Sequence, residues 1–183
     1  MRFLKQIVIV VFLIIFLIGC QKQVENEVEI VKVGSIVLID YAAGYLNGTL
    51  FDTTFEGASK IAGIFNPNRI YQPMQLTVGQ GKIVKGVEEA LLGMKEGEAK
   101  TVTIPPEKAY GFYRKNSIKQ ISIETFGDDI NNLREGTGFI MRTPQGEVPV
   151  LIKKIGKENV TVDFNHPLAG QTVTFAIIVR DIQ

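Results

Sequence analysis

Few side chains in this 183-residue sequence are of types that do chemistry by themselves, and their scarcity limits what the chain can be. There is a single cysteine, Cys20, which excludes an intramolecular disulfide framework and any multi-cysteine metal site. The single histidine, His166, stands directly before Pro167, a position that suits a turn residue better than a metal ligand, since structural zinc or nickel needs several soft ligands together. No metal and no cofactor are expected. What remains is a phenol between small neighbours, Ala109-Tyr110-Gly111, whose ring those neighbours leave accessible for hydrogen bonding. Beside it stand an aspartate that follows an aromatic, Phe51-Asp52, and the aromatics Tyr41 and Phe175. Aromatics in alternating segments are core residues by default, so their positions have to be read from the elements that carry them.

The first of those elements is set apart from the rest. Arg2 and Lys5 precede an unbroken apolar run from Ile7 to Ile18. The run is short for a spanning helix, which wants about 20 apolar residues, but it suits the centre of a signal peptide. Leu17-Ile18-Gly19-Cys20 then resembles a lipoprotein lipobox, implying cleavage after Gly19 and a lipid on Cys20. The alternative is an uncleaved anchor in which Cys20 is incidental. Either way residues 1–19 are a signal peptide or membrane anchor, and the globular part is expected beside a membrane on its extracytoplasmic face. Residues 20–32 read as a tether, polar and acidic from Gln21 to Glu29. Losing Arg2 and Lys5 from 20 basic side chains leaves 18 against 19 acidic ones, a balance with no electrostatic footprint for nucleic acid.

Beyond the tether, segments of period-two alternation predict mostly sheet. Ser35–Tyr41 puts Val37, Ile39 and Tyr41 on one face, and Asn47-Gly48 turns the chain into Thr49–Thr53. Glu56–Ile64 is expected as a short helix with Ile61 and Ile64 facing inward, before the punctuation Asn66-Pro67-Asn68. Met74–Val78 reads as a strand, and Val84–Leu92 as an amphipathic helix on Val84, Val87, Leu91 and Leu92, stopped by Gly93. Lys100–Ile104 is a strand that Pro105-Pro106 must end. A helical or turn-rich stretch over Ser122–Leu133 follows, then strands near Gly138–Arg142, Val148–Ile155, Asn159–Asp163 and Thr172–Ile182.

With that order of elements, three motifs become recognisable: Phe51-Asp52-Thr53-Thr54, then Val78-Gly79-Gln80-Gly81-Lys82-Ile83-Val84-Lys85-Gly86-Val87, then Ala109-Tyr110-Gly111. Together they resemble the FKBP-type peptidyl-prolyl cis/trans isomerases. A compact member would pass from Ala-Tyr-Gly quickly into its last strand, whereas here Phe112 to Asp163 intervenes. That insertion, with the return sequence Asn165-His166-Pro167-Leu168-Ala169-Gly170-Gln171, is similar to the flap-inserted domain of SlyD-like isomerases. The longer segment Glu56–Tyr71 looks like the long type common among archaeal members.

The resemblance implies an α+β fold: a bent antiparallel sheet wrapped on one short helix, with a small, mostly β inserted domain. Its boundaries would be 33–113 and 164–183 for the isomerase domain and 114–163 for the insertion. It implies a substrate pocket with Tyr41, Phe51, Asp52, Tyr110 and Phe175 in the catalytic wall and Met74, Ile83, Val84 and Val87 binding the proline. Tyr110 would hydrogen-bond a substrate carbonyl, and Asp52 would orient the Tyr41 hydroxyl rather than act as acid or base. Two positions depart from the usual pattern: the chain has no Trp, so Val87 replaces the indole floor, and Met74 stands where an aromatic is common. SlyD-like members also lack that Trp, which implies surviving activity with weaker macrolide binding. The implied partners are unfolded or proline-containing polypeptides and, through the N-terminal lipid or helix, a membrane; no nucleic acid is expected, and the chain is expected to be a monomer. The alternative is a holdase chaperone or peptide-binding module with little isomerase activity, and a third is an inert scaffold of the same fold.

Overall fold

A computed structural model describes residues 29–144 and 146–183. The apolar run, Cys20 and the tether up to residue 28 lie outside the described residues. The elements in chain order are β1 (Ile36–Tyr45), β2 (Leu50–Thr53), α1 (Glu56–Ile61), β3 (Met74–Thr77), α2 (Lys85–Leu91), β4 (Ala99–Ile104), β5 (Ile118–Ser122), β6 (Gly138–Thr143), β7 (Gly146–Ile155), β8 (Asn159–Asp163) and β9 (Val173–Ile182). They form two antiparallel sheets: one of five strands in the order β2-β1-β9-β4, with β3 also paired to β1, and one of four in the order β5-β8-β7-β6. This is the α+β architecture expected from the sequence.

β1 organises the larger sheet. Its first half pairs with β3 from Ile36 to Ile39, its second half with β2 from Ala42 to Gly44, and its other edge runs along β9. The β1–β2 turn closes through Gly48 at φ +85°, a conformation that suits glycine, with the Thr49 N–H donating to the Asn47 side chain at 3.0 Å. Alternation then does the packing. Val37, Ile39, Tyr41 and Ala43 of β1 are buried on one face, and Val173, Phe175, Ile177 and Val179 of β9 join them.

α2 covers that face with Val87, Ala90 and Leu91, all in the same core. Gly86 lets it approach β4 closely, because a Cβ there would lie 2.4 Å from Cγ2 of Ile104. Glu88 reaches back to the Gly81 N–H at 2.8 Å, securing the loop that leads into the helix. Before the helix, the Val87 N–H donates to the Val84 carbonyl at 2.9 Å, so Val84 is held at the helix start.

Two helical expectations are corrected. α1 ends at Ile61, and Ile61 is 91% exposed rather than inward. The covered side belongs to Ser59, two residues earlier and so about 200° away around a helix of 3.6 residues per turn. Ile64 is half-buried beyond the helix end. Leu92 is 42% exposed because the chain leaves the helical conformation there, at φ −57° and ψ 127°, and Leu91 takes the buried place.

The smaller sheet has its own core of Phe126, Leu133, Met141, Val150, Ile152, Val160 and Val162. Its turn-rich stretch is 3-10 helix from Ile123 to Asn132, broken at Gly127. β5 was not legible in the sequence: in Ile118–Ser122 the half-buried residues are Ile118 and Ile121, a spacing without strict alternation.

Candidate functional site

Pairing of β1 with β9 places Tyr41 and Phe175 on one face two register steps apart, with ring centroids 5.8 Å from each other. Phe51, carried in by β2, meets Phe175 edge-on at 6.3 Å, Tyr110 at 6.2 Å and Tyr45 at 5.3 Å. A cavity of about 560 Å³ opens beside this cluster. Its lining includes seven of the expected site residues, Tyr41, Asp52, Met74, Ile83, Val84, Tyr110 and Phe175, together with Gly81, Lys82, Lys85 and Ala109. The other two are not part of its lining. Phe51 meets the rings of Tyr110 and Phe175 edge-on, and Val87 is fully buried in the core against which Ile83 and Val84 pack.

The polar corner of the cavity is a closed set of bonds. The Tyr41 hydroxyl donates to Oδ2 of Asp52 at 2.7 Å, while Oδ1 of Asp52 accepts the Thr53 N–H at 2.8 Å and an Arg69 guanidinium hydrogen bond. Arg69 also reaches the Tyr41 oxygen at 3.5 Å. Burial, then the bond to Asp52, pushes the Tyr41 phenol up to about 12, so it remains a donor across the physiological range. Burial works against the Arg69 charge, but its bonds to Asp52 and Tyr41 outweigh that and hold it above its ordinary value. Behind this corner Asp40, buried on β1, accepts from Thr54 and from Arg180, each at 2.7 Å. Thr54 in turn accepts the Tyr41 N–H at 3.0 Å, so the backbone that carries Tyr41 is pinned from both sides.

Arg69 has no signal in the sequence. It lies in the loop after α1, seventeen residues from Asp52, and reaches the carboxylate because Phe65 and Tyr71 stack at 5.6 Å and the Tyr71 hydroxyl accepts the Asn66 N–H at 2.9 Å. Arg69 lies over the Tyr71 ring at 5.3 Å.

Tyr110 sits in the loop that Pro105-Pro106 opens after β4. Ala109 and Gly111 both donate to the Pro106 carbonyl, at 3.1 and 2.7 Å, and Lys108 pairs with Glu89 of α2 at 2.7 Å. No hydrogen bond joins the Tyr110 hydroxyl to another described residue, and burial followed by the Asp52 charge raises its pKa above the ordinary phenol value. Tyr110 thus borders the cavity with a neutral hydroxyl that has no hydrogen-bond partner among the described residues. His166 stacks on the Tyr110 ring, with centroids 4.4 Å apart and planes 10° from parallel.

A second cavity of about 530 Å³ lies where the smaller sheet meets the return segment. It is lined by Phe139, Ile140, Pro149 and Leu151 on β6 and β7, and by Tyr113, Asp163 and His166 near the junction. Ile140 is 54% exposed there. At the junction the Tyr113 hydroxyl donates to Asp163 at 2.8 Å, and Lys153 lies 3.6 Å from the same carboxylate. Among the described residues, no group of three or more His, Cys, Asp or Glu comes together to hold a metal.

Residues 27–126 match the family model described as FKBP-type peptidyl-prolyl cis-trans isomerase. The chain is 40% identical over 156 residues to a short-type peptidyl-prolyl cis-trans isomerase of Methanocaldococcus jannaschii, covering 85% of this chain and 96% of that relative. It is 33% identical to a SlyD of Aeromonas hydrophila, covering 81% of this chain and 63% of the relative. It is 31% identical to the FKBP-type 16 kDa isomerase of Escherichia coli K12, covering 84% and 95%.

Proposed function

The chain belongs to the FKBP-type peptidyl-prolyl cis-trans isomerases, and we propose that it catalyses rotation about X–Pro bonds of incompletely folded polypeptides outside the cytoplasm. One observation carries the site assignment: a cavity whose wall combines the apolar Met74, Ile83, Val84 and Phe175 with Tyr110, whose hydroxyl has no partner among the described residues. Rotation of a peptide bond faces a barrier of about 18–20 kcal/mol, set by the resonance of the planar amide. That resonance moves charge from nitrogen to oxygen, and water stabilises the separated charge. In the twisted amide the separation shrinks, so a substrate amide that sheds water against the apolar side chains of Met74, Ile83, Val84 and Phe175 is favoured in the twisted state relative to the planar one.

In this reading Val87 supports the floor and Phe51 backs the wall. Tyr110 donates to a substrate carbonyl and holds the rotated geometry, an interaction stronger in the transition state than before it. Asp52 is not free to move protons, because Tyr41, the Thr53 N–H and Arg69 occupy its oxygens. Its role is to fix the Tyr41 hydroxyl and supply a local field. A protease-free assay of cis/trans exchange on a short X–Pro peptide tests this. Tyr110→Phe is expected to lower kcat/KM about tenfold, the equivalent of about 1.4 kcal/mol, and Asp52→Ala to lower it as well. Both variants matching wild type would leave the holdase or peptide-binding alternative.

The second cavity favours an added role for the smaller sheet, holding unfolded chain at the groove of Phe139, Ile140 and Leu151. A loosely held chain presents its prolines to the nearby isomerase cavity at raised effective concentration. The extracytoplasmic, membrane-tethered part of the proposal rests on Arg2 and Lys5, the apolar run and Gly19-Cys20. Mass spectrometry of the mature N terminus decides between a lipid on Cys20 and an uncleaved helix. The long-type reading rests on Glu56–Tyr71, the segment that delivers Arg69.

A further inference from the structure

The return segment Asn165–Gln171 holds a feature that the reaction scheme above does not use. His166 is half of a two-ring stack with Tyr110, and each ring borders a different cavity: Tyr110 the isomerase cavity, His166 the groove of the smaller sheet. The imidazole is fixed by its own turn. Its Nδ1 accepts the Leu168 N–H at 3.1 Å, and its carbonyl accepts the Ala169 N–H at 2.8 Å. The turn is tied to the Tyr110 loop as well, because the Gly170 N–H donates to the Gly111 carbonyl at 2.8 Å.

Tyr110 lacks a hydroxyl anchor, so ring contacts set its direction. Phe51 touches it edge-on at 6.2 Å, and His166 covers a face at 4.4 Å. A ring with that face uncovered swings about its side-chain torsions, and a displacement of about 1 Å at a reacting geometry costs up to about a hundredfold in rate. We propose that His166 is a positioning residue for the isomerisation, holding the Tyr110 ring in the direction that aims its hydroxyl at the substrate carbonyl. This rests on the isomerase reading of the cavity.

The same geometry makes the effect dependent on pH. Nδ1 can accept from Leu168 only when unprotonated; once protonated it faces an N–H donor to donor, and the turn that carries the ring loosens. Burial of the ring lowers the imidazole below its ordinary value, so the neutral form persists into mildly acid conditions. The titratable groups sharing the groove wall are Tyr113, Lys153 and Asp163, and the last two pair with each other at 3.6 Å. Tyr110 faces the imidazole from the loop after β4.

The test is X–Pro peptide exchange from about pH 5 to 8 with wild type, His166→Ala and His166→Phe, each also in a Tyr110→Phe background. The expected result is an acid limb in wild type below the ordinary histidine range. His166→Ala should lose about tenfold in kcat/KM at the alkaline end, chiefly in kcat, and show no acid limb. His166→Phe keeps an aromatic face without a titrating group, and should recover most of the rate with a flat profile. In the Tyr110→Phe background, His166→Ala should add little. An active wild type whose rate and acid limb survive in His166→Ala overturns the proposal, as does an equal loss from His166→Ala with and without the Tyr110 hydroxyl. A wild type inactive at every pH overturns the isomerase reading itself, and this proposal falls with it.

Discussion

The phenol of Tyr41 is held by burial and by its 2.7 Å bond to Asp52, and the two together raise its pKa from 10.0 to about 12. The folded protein therefore favours the protonated phenol, while the unfolded chain releases its proton at lower pH. The stabilisation is complete below about pH 10 and is lost as pH rises from there to about 12, an effect of roughly 2–3 kcal/mol. Thermal unfolding followed over that range should steepen in wild type and flatten in Tyr41→Phe. Arg69 behaves differently because its side chain is 37% exposed. An ion pair so open to solvent contributes less than about 1 kcal/mol to stability. Arg69→Ala should barely move the urea midpoint, yet lower peptide exchange severalfold by freeing Asp52 from the geometry that fixes Tyr41. A loss of stability larger than the loss of exchange would place Arg69 in the scaffold instead. At this scale Asp52 and Tyr110 were readable because short motifs carry them, whereas Tyr41, an aromatic in an alternating strand, entered the candidate site only through the family resemblance. Arg69 was not readable, because a loop closed by the Phe65–Tyr71 stack brings it to Asp52 from seventeen residues away.

Strand and helix positions follow from periodicity where one face meets a continuous core. β9 alternates from Val173 to Val179, and in β1 the expected face of Val37, Ile39 and Tyr41 is the buried one, although Asp40 between them is buried as well through its bonds to Thr54 and Arg180. Short elements are less legible, since a six-residue helix makes fewer than two turns and a single small residue, Ser59, can occupy the covered side. The contact of α2 with β4 turns on Gly86. Adding a methyl there sets it against Ile104, which is itself buried, so Gly86→Ala should destabilise by about 1–3 kcal/mol in urea titration. Combined with Ile104→Ala, the same substitution should cost less than the two single changes summed, a coupling that a double-mutant cycle measures. Additive costs would mean that α2 shifts on the sheet rather than pressing on Ile104.

Across the whole molecule, two sheets with separate cores meet at the junction of Tyr113, Arg114 and Asn165. The Asn165 side chain accepts the Arg114 N–H and donates to its carbonyl, both at 2.9 Å, so the chain enters and leaves the smaller sheet side by side. A short loop can therefore replace Lys115–Val162 without stretching the larger sheet. That variant should retain most of its turnover on short proline peptides while losing rate in the catalysed refolding of a protein limited by proline isomerisation. Equal losses in the two assays would remove the holding role assigned to the groove.

From sequence alone came the α+β class, the order of most strands, the family, and nine residues expected at one pocket, of which Tyr41, Asp52, Met74, Ile83, Val84, Tyr110 and Phe175 line a common cavity and Phe51 and Val87 do not. These are local properties: alternation, turn residues and short motifs are written in consecutive positions. Tertiary structure decided what depends on distant segments meeting, namely the Arg69–Asp52 pair, the face-to-face contact of His166 with Tyr110, and the exposure of Ile61 and Leu92. Partners that stand far apart along a chain leave no periodic trace. Which side of a short helix is covered is likewise set by the surface it lands on.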